Sequence, residues 1–150
     1  MIKELVKDKD WCYYNPHPKG RRVGDCVTRA FTVILDSEYI FTRKYLRQKQ
    51  FYGYTTSPDI EARLRAFNYQ SNQKVFGLTV RQVCKLYPKG KVFVFLRDRQ
   101  HVVAISDGIF YDSWFSGDES VSHVWIKNVE FNPNGLVVDS TPRIAKYLAK

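Results

Sequence analysis

His101-Val102-Val103-Ala104-Ile105-Ser106-Asp107-Gly108-Ile109-Phe110-Tyr111-Asp112 reads as two short apolar runs joined by Asp-Gly. Asp-Gly between such runs is a strong signal for a two-residue β-hairpin, because both turn positions need positive φ. With Asp107 and Gly108 at the tip, Ser106 faces Ile109 and Val103 faces Asp112. Side chains alternate along a strand, so His101, Val103 and Asp112 share a face, and His101 is the diagonal neighbour of Asp112. Diagonal partners lie ~7–8 Å apart at the backbone, within reach of longer side chains. A slip of one residue would put them on opposite faces. The same twelve residues therefore specify an antiparallel pair and bring an imidazole to a carboxylate.

Moving outward, Lys91 to Arg97 is a strand by composition, and Val121 to Ile126 and Gly135 to Val138 are weaker ones. On the N-terminal side the periodicity becomes helical. Thr79-Val80-Arg81-Gln82 is a capping box with Leu78 and Val83 as its hydrophobic staple, and Tyr87-Pro88-Lys89-Gly90 ends that helix. Ser57-Pro58-Asp59 opens another, carrying Ile60, Leu64 and Phe67 on one side. Asp36 or Ser37 can cap a helix running to about Gln50, with Ile40, Tyr45 and Leu46 as candidate buried residues. A further helix begins near Asp25 or Cys26, where Val27, Ala30, Phe31 and Ile34 fall on one face. Helices first and antiparallel strands second specify an α+β fold. Residues 1–12 read as a charged lead-in with at most a helical turn. Residues 127–150 read as a C-terminal extension whose role stays open, with Thr141 to Lys150 as a closing helix.

The 150 residues fit a single domain, 1–150, and 44% hydrophobic with 15% aromatic residues suffice for a packed core. No apolar run is long enough to span a bilayer, and the start lacks an apolar signal core, so the expectation is a cytoplasmic protein that engages no membrane. Three cysteines, Cys12, Cys26 and Cys84, without CxxC spacing argue against a disulfide framework and a structural zinc site. No metal and no cofactor are expected. The net charge of +9 would attract nucleic acid, acidic proteins or membrane surfaces, but the basic residues are spread out. The densest clusters are Lys19 to Arg22 and Arg43 to Lys49, and solvated surface charge is preferred to a nucleic-acid footprint.

Val23-Gly24-Asp25-Cys26-Val27-Thr28-Arg29-Ala30 places a cysteine where a turn becomes a helix. Amides at a helix N-terminus favour negative charge, and the thiolate is the reactive form of cysteine. Cys26 is therefore suitably placed for a nucleophile, and equally suits a small core residue. The His101–Asp112 pair supplies what such a nucleophile needs: Asp112 would hold one ring nitrogen and leave the other to take the thiol proton.

Asn15-Pro16, then Arg22-Val23-Gly24-Asp25-Cys26-Val27-Thr28-Arg29-Ala30, His101-Val102-Val103-Ala104 and Tyr111-Asp112-Ser113-Trp114, resemble small papain-like cysteine peptidase-related proteins of bacteriophages and prophages. The wider group includes the C39-type peptidases and is similar to transglutaminase-like folds. The resemblance covers roughly residues 13–126. It implies a nucleophile at the start of the main helix packed on an antiparallel sheet, with the order Cys26, His101, Asp112. It also implies a phage-encoded protein working in the cytoplasm of a bacterial host.

The papain-like glutamine that precedes the nucleophile as oxyanion donor has no counterpart, since no glutamine precedes Cys26. Asn15 is the best substitute, together with the Cys26 backbone N–H, and is equally a turn residue before proline. His17, in a Pro-bracketed loop, could line the cleft. Trp114 could shield the His101–Asp112 bond or be a plain core residue. His123 reads as a strand residue and Cys84 as core. The expected function is a cysteine-dependent peptidase, isopeptidase or amidase acting on a peptide or protein through an acyl-enzyme. The alternative is a non-catalytic binding module that uses its basic surface on nucleic acid or an acidic host protein, for example to counter host defence.

Overall fold

A computed structural model describes residues 6–8, 10–20, 25–46, 57–97 and 101–130. The strands and helices run in the order β1 (Val6–Asp8), β2 (Trp11–Tyr13), α1 (Cys26–Leu35), α2 (Tyr39–Leu46), α3 (Ser57–Ala66), β3 (Gln70–Asn72), α4 (Val80–Leu86), β4 (Lys89–Leu96), β5 (Val102–Ser106), β6 (Ile109–Asp112) and β7 (Val121–Glu130). The fold is mixed α+β. Seven strands form one sheet in the order β1-β2-β6-β5-β4-β7-β3.

The hairpin between β5 and β6 has the expected register, Ser106↔Ile109, Ile105↔Phe110 and Ala104↔Tyr111. Asp107 (φ 50) and Gly108 (φ 80) both take the left-handed conformation that a tight primed turn requires. The tip is tied to the start of β4. The Gly90 N–H donates to Asp107 Oδ1 at 2.8 Å, and the Asp107 N–H donates to the Gly90 carbonyl at 3.0 Å. The Thr79 capping box is also formed, with the Gln82 N–H donating to Thr79 Oγ1 at 3.2 Å and the Thr79 N–H donating to Gln82 Oε1 at 2.9 Å.

Alternation along the central strands sorts their side chains into two cores. Val92, Val94, Leu96, Val103, Ile105 and Phe110 meet Val80, Val83 and Leu86 of α4 on one face. Phe93, Phe95, Val102, Ala104 and Trp125 meet Val27, Phe31 and Ile34 of α1 and Ile60 and Leu64 of α3 on the other. Phe31 is fully buried with its ring centroid 5.0 Å from that of Phe93. Burying one such side chain contributes about 1.5–3 kcal/mol. α1 is buried nearly all round, Thr28, Arg29 and Thr32 included, so its polar residues must find partners inside the protein.

Several expectations are corrected. The lead-in contributes strands: Trp11-Cys12-Tyr13 forms β2, which pairs in parallel with β6 (Trp11↔Phe110, Tyr13↔Asp112), and β1 pairs with β2. The aromatic run suits a pleated surface, and Trp11 packs edge-on against Phe115 at 5.5 Å. The sheet is thus antiparallel except for one pair, and β1, β2 and β3 come from the half expected to be helical. Ile40 and Tyr45 are exposed, at 41% and 39%, because α2 turns Tyr39, Thr42 and Leu46 inward. β7 continues through Lys127 to Glu130, so the start of the expected C-terminal extension belongs to the sheet. The expected strand at Gly135 to Val138, the helix at Thr141 to Lys150 and the end of α2 towards Gln50 lie outside the described residues.

Candidate active site

Cys26 is the first residue of α1, with Asp25 at the N-cap. His101 lies just before β5, its carbonyl accepting from the Leu96 N–H at 3.1 Å, and Asp112 is the last residue of β6. The structure brings all three together. His101 Nε2 is 2.8 Å from Asp112 Oδ2, and the Cys26 sulfur lies close enough to the ring to help raise its pKa. With Nε2 facing the carboxylate, Nδ1 is the ring nitrogen left for sulfur.

The faces on which they meet differ from strict alternation. Val103 and Phe110 point to the α4 side, so alternation would send His101 and Asp112 there too. Both instead reach α1. The paired residues of the hairpin end at Ala104↔Tyr111. His101 lies just outside β5, whereas Asp112, the last residue of β6, still pairs with Tyr13 of β2 and its side chain nonetheless meets Arg29 of α1.

Burial pulls the His101 ring towards the neutral form. The hydrogen bond to Asp112, then the Cys26 sulfur and the carboxylate charge beside the ring, outweigh it and raise its pKa from 6.5 to about 9. The ring is thereby biased towards its protonated form, with a carboxylate and a sulfur beside it. The Trp114 ring lies 5.0 Å from it at 34° and is half-buried, which covers one side of the pair from water.

Sequence reasoning missed how Asp112 is held. Its Oδ2 also accepts from Ser116 Oγ at 2.7 Å. Its Oδ1 accepts from the Ser113 N–H at 2.8 Å and from Arg29 Nη2 at 3.3 Å. Its carbonyl accepts from the Tyr14 N–H at 2.9 Å. Arg29 also pairs through Nη1 with Asp25 Oδ1, and Asp25 Oδ2 accepts from the Tyr39 hydroxyl at 2.7 Å. The Asp25–Arg29 spacing of i,i+4 on a helix was a readable signal. Arg29 to Asp112 and Ser116 to Asp112 are tertiary contacts with no local mark.

The remaining candidates fall as follows. The Asn15 side chain closes its own loop, donating to the Gly20 carbonyl at 3.2 Å and accepting from the His17 N–H at 3.3 Å. His17 is buried, accepts from the Lys19 N–H at 3.0 Å through Nδ1, and its ring lies 6.2 Å from that of Tyr39, on the Asp25 side of the cluster. Cys12 and Cys84 are buried away from these groups in the sheet and in α4. Among the described residues no three His, Cys, Asp or Glu side chains form a group able to hold a metal ion. No helix among them is long and apolar enough to cross a membrane.

What the arrangement can do chemically follows from its parts: a thiol at the positive end of a helix, a ring to move its proton, and a carboxylate fixing that ring. No family model, no curated protein and no solved structure matches this chain.

Proposed function

We propose that this protein is a cysteine-dependent hydrolase or acyltransferase of papain-like design, acting on an amide, isopeptide or related acyl bond. One observation carries the reading: the His101 ring is held by the Asp112 carboxylate at 2.8 Å and lies close enough to Cys26 for the sulfur to help raise its pKa.

Cys26 sulfur attacks the carbonyl carbon once its proton has passed to His101. The developing oxyanion is met by the Cys26 backbone N–H, which at the first helical position has no carbonyl to bond within α1. The Asn15 side chain is bonded within its own loop and is given no part in this step. His101 then gives its proton to the leaving nitrogen or oxygen, leaving an acyl group on sulfur. Water or an amine, deprotonated by the now neutral ring, releases that acyl group, and the sulfur and ring return to their starting state. Asp112 keeps Nε2 bonded throughout, so Nδ1 stays aimed at the sulfur. A peptide or protein is the substrate class this chemistry serves, in the cytoplasm of a bacterial host if the phage resemblance holds.

An activated ester such as p-nitrophenyl acetate tests this without knowledge of the natural substrate. The expected result is a burst of nitrophenolate equal to the protein present, with an acetyl adduct mapped to Cys26. No burst, or an equal burst from Cys26→Ala, would overturn the reading.

A further inference from the structure

We infer that Arg29 is a positioning residue of this reaction: held by Asp25, its guanidinium fixes the Asp112 carboxylate against His101. The inference rests on the proposed roles of Cys26, His101 and Asp112.

Arg29, Asp25 and Asp112 are almost wholly buried, with side chains 6%, 1% and 1% exposed. Burying three charged groups is costly and persists only where each is paired. Arg29 spans the two carboxylates with separate nitrogens, Nη1 to Asp25 and Nη2 to Asp112, a division that a planar fork allows. Asp112 belongs to the last position of β6 and Arg29 to the first turns of α1. The bridge therefore ties the strand that carries the acid to the helix that carries the nucleophile. Arg29 lies one turn beyond Cys26, so a shift of the helix start relative to the sheet would pull on the same contact.

Asp25 is specialised to this task. An aspartate at an N-cap ordinarily accepts from the second or third amide of its helix. Here its side chain makes no cap hydrogen bond and instead takes Arg29 and the Tyr39 hydroxyl. The helix gives up a side-chain cap, and Cys26 stands at its positive end. The groups that act directly on His101 are Asp112 from β6 and Cys26 from α1; Arg29 of α1, Asp25 at its N-cap and Tyr39 of α2 are linked to it through Asp112. Ser116 and the Ser113 N–H complete the hold on Asp112.

A double-mutant cycle on alkylation of Cys26 by a peptidyl epoxide separates positioning from mere support of the fold. Epoxide opening needs both the thiolate and a proton from His101. Asp25→Asn with Arg29→Gln removes the bridge in a charge-balanced way, and circular dichroism checks that the protein stays folded. Arg29→Lys keeps the charge but offers one ammonium to two carboxylates, and serves if the first variant does not fold. Each is expected to slow labelling roughly 10- to 100-fold, as displacement of reacting groups does. In an Asp112→Asn background each should slow it by less than about twofold, because the effect acts through Asp112. An equal loss in both backgrounds, or no loss with Asp112 intact, overturns the inference while leaving the Cys26–His101 reading in place. If labelling of the unaltered protein does not depend on His101, that reading falls and this inference falls with it.

Discussion

Among the described residues two histidines meet a carboxylate, and the surroundings of the two pairs differ. His101 meets Asp112 at 2.8 Å and His123 meets Glu61 at 3.2 Å. His123 lies flat on Phe95, with ring centroids 4.6 Å apart, and its Nδ1 is 2.9 Å from the hydroxyl of its neighbour Ser122. Read by pair distances alone, Ser122, His123 and Glu61 look as much like a relay as the first set. The difference is in what holds the acid. Asp112 is short, 1% exposed, and fixed by Ser116, the Ser113 N–H and Arg29. Glu61 has a longer side chain, is 28% exposed, and stands on α3, where solvent competes for it. The first pair also faces a thiol at a helix start. A histidine next to an acid is thus a common surface tie, and becomes a catalytic dyad when the acid is immobilised and a nucleophile lies on the ring's other side.

The largest effect belongs to the nucleophile. Cys26→Ala should abolish the ester burst and all epoxide labelling, whereas Cys12→Ala and Cys84→Ala should preserve both. Next comes the ring. His101→Gln should lower turnover by roughly 1000-fold or more, nearly as far as loss of the thiol, because groups acting as a unit do not contribute additively. His123→Gln should leave the same rates unchanged, and a comparable loss there would erase the distinction between the two pairs. Asp112→Asn should cost less than either, roughly 100-fold, by weakening control of the ring's tautomer. Glu61→Gln should affect stability alone, within the ~0–1 kcal/mol of an exposed ion pair.

The smallest effect is thermodynamic and has a definite sign. The folded protein holds the His101 proton to about pH 9, against 6.5 for an unperturbed ring. A raised folded pKa means that the stabilisation is complete below pH 6.5, declines as pH rises above it, and is gone once pH has passed through about 9. Denaturant unfolding followed across that window should show a falling stability. The fall should diminish in His101→Gln and persist in His123→Gln. A flat profile for the unaltered protein would remove the charged-ring state from the mechanism.

Much of this could be read before any coordinates, for identifiable reasons. The Asp107-Gly108 turn, the Thr79 capping box and the Ser57-Pro58 helix start are local signals whose energetics lie within a few residues, and each appears where expected. The approach of His101 to Asp112 was legible because a hairpin fixes register through its turn. The side of the sheet on which they meet was not, since His101 lies just outside β5 and Asp112, the last residue of β6, meets Arg29 of α1. β2 was missed because a three-residue strand is defined by its partner: its parallel pairing with β6 joins positions about a hundred residues apart. Arg29 sat in a quoted motif without an assigned role. Its i,i+4 partner Asp25 was visible in sequence, but its reach to Asp112 depends on how α1 lies on the sheet.

The most direct test of the central claim is competitive alkylation of the folded protein with iodoacetamide at neutral pH, each cysteine being followed by peptide mapping. All three thiols are buried to a similar degree, with Cys12 at 1%, Cys26 at 6% and Cys84 at 3% exposure, so access alone gives little advantage. The expected result is that Cys26 reacts well ahead of Cys12 and Cys84, and that His101→Gln removes the lead. Equal rates at Cys26 with and without His101 would contradict the account and leave the His101–Asp112 pair without a part in thiol chemistry.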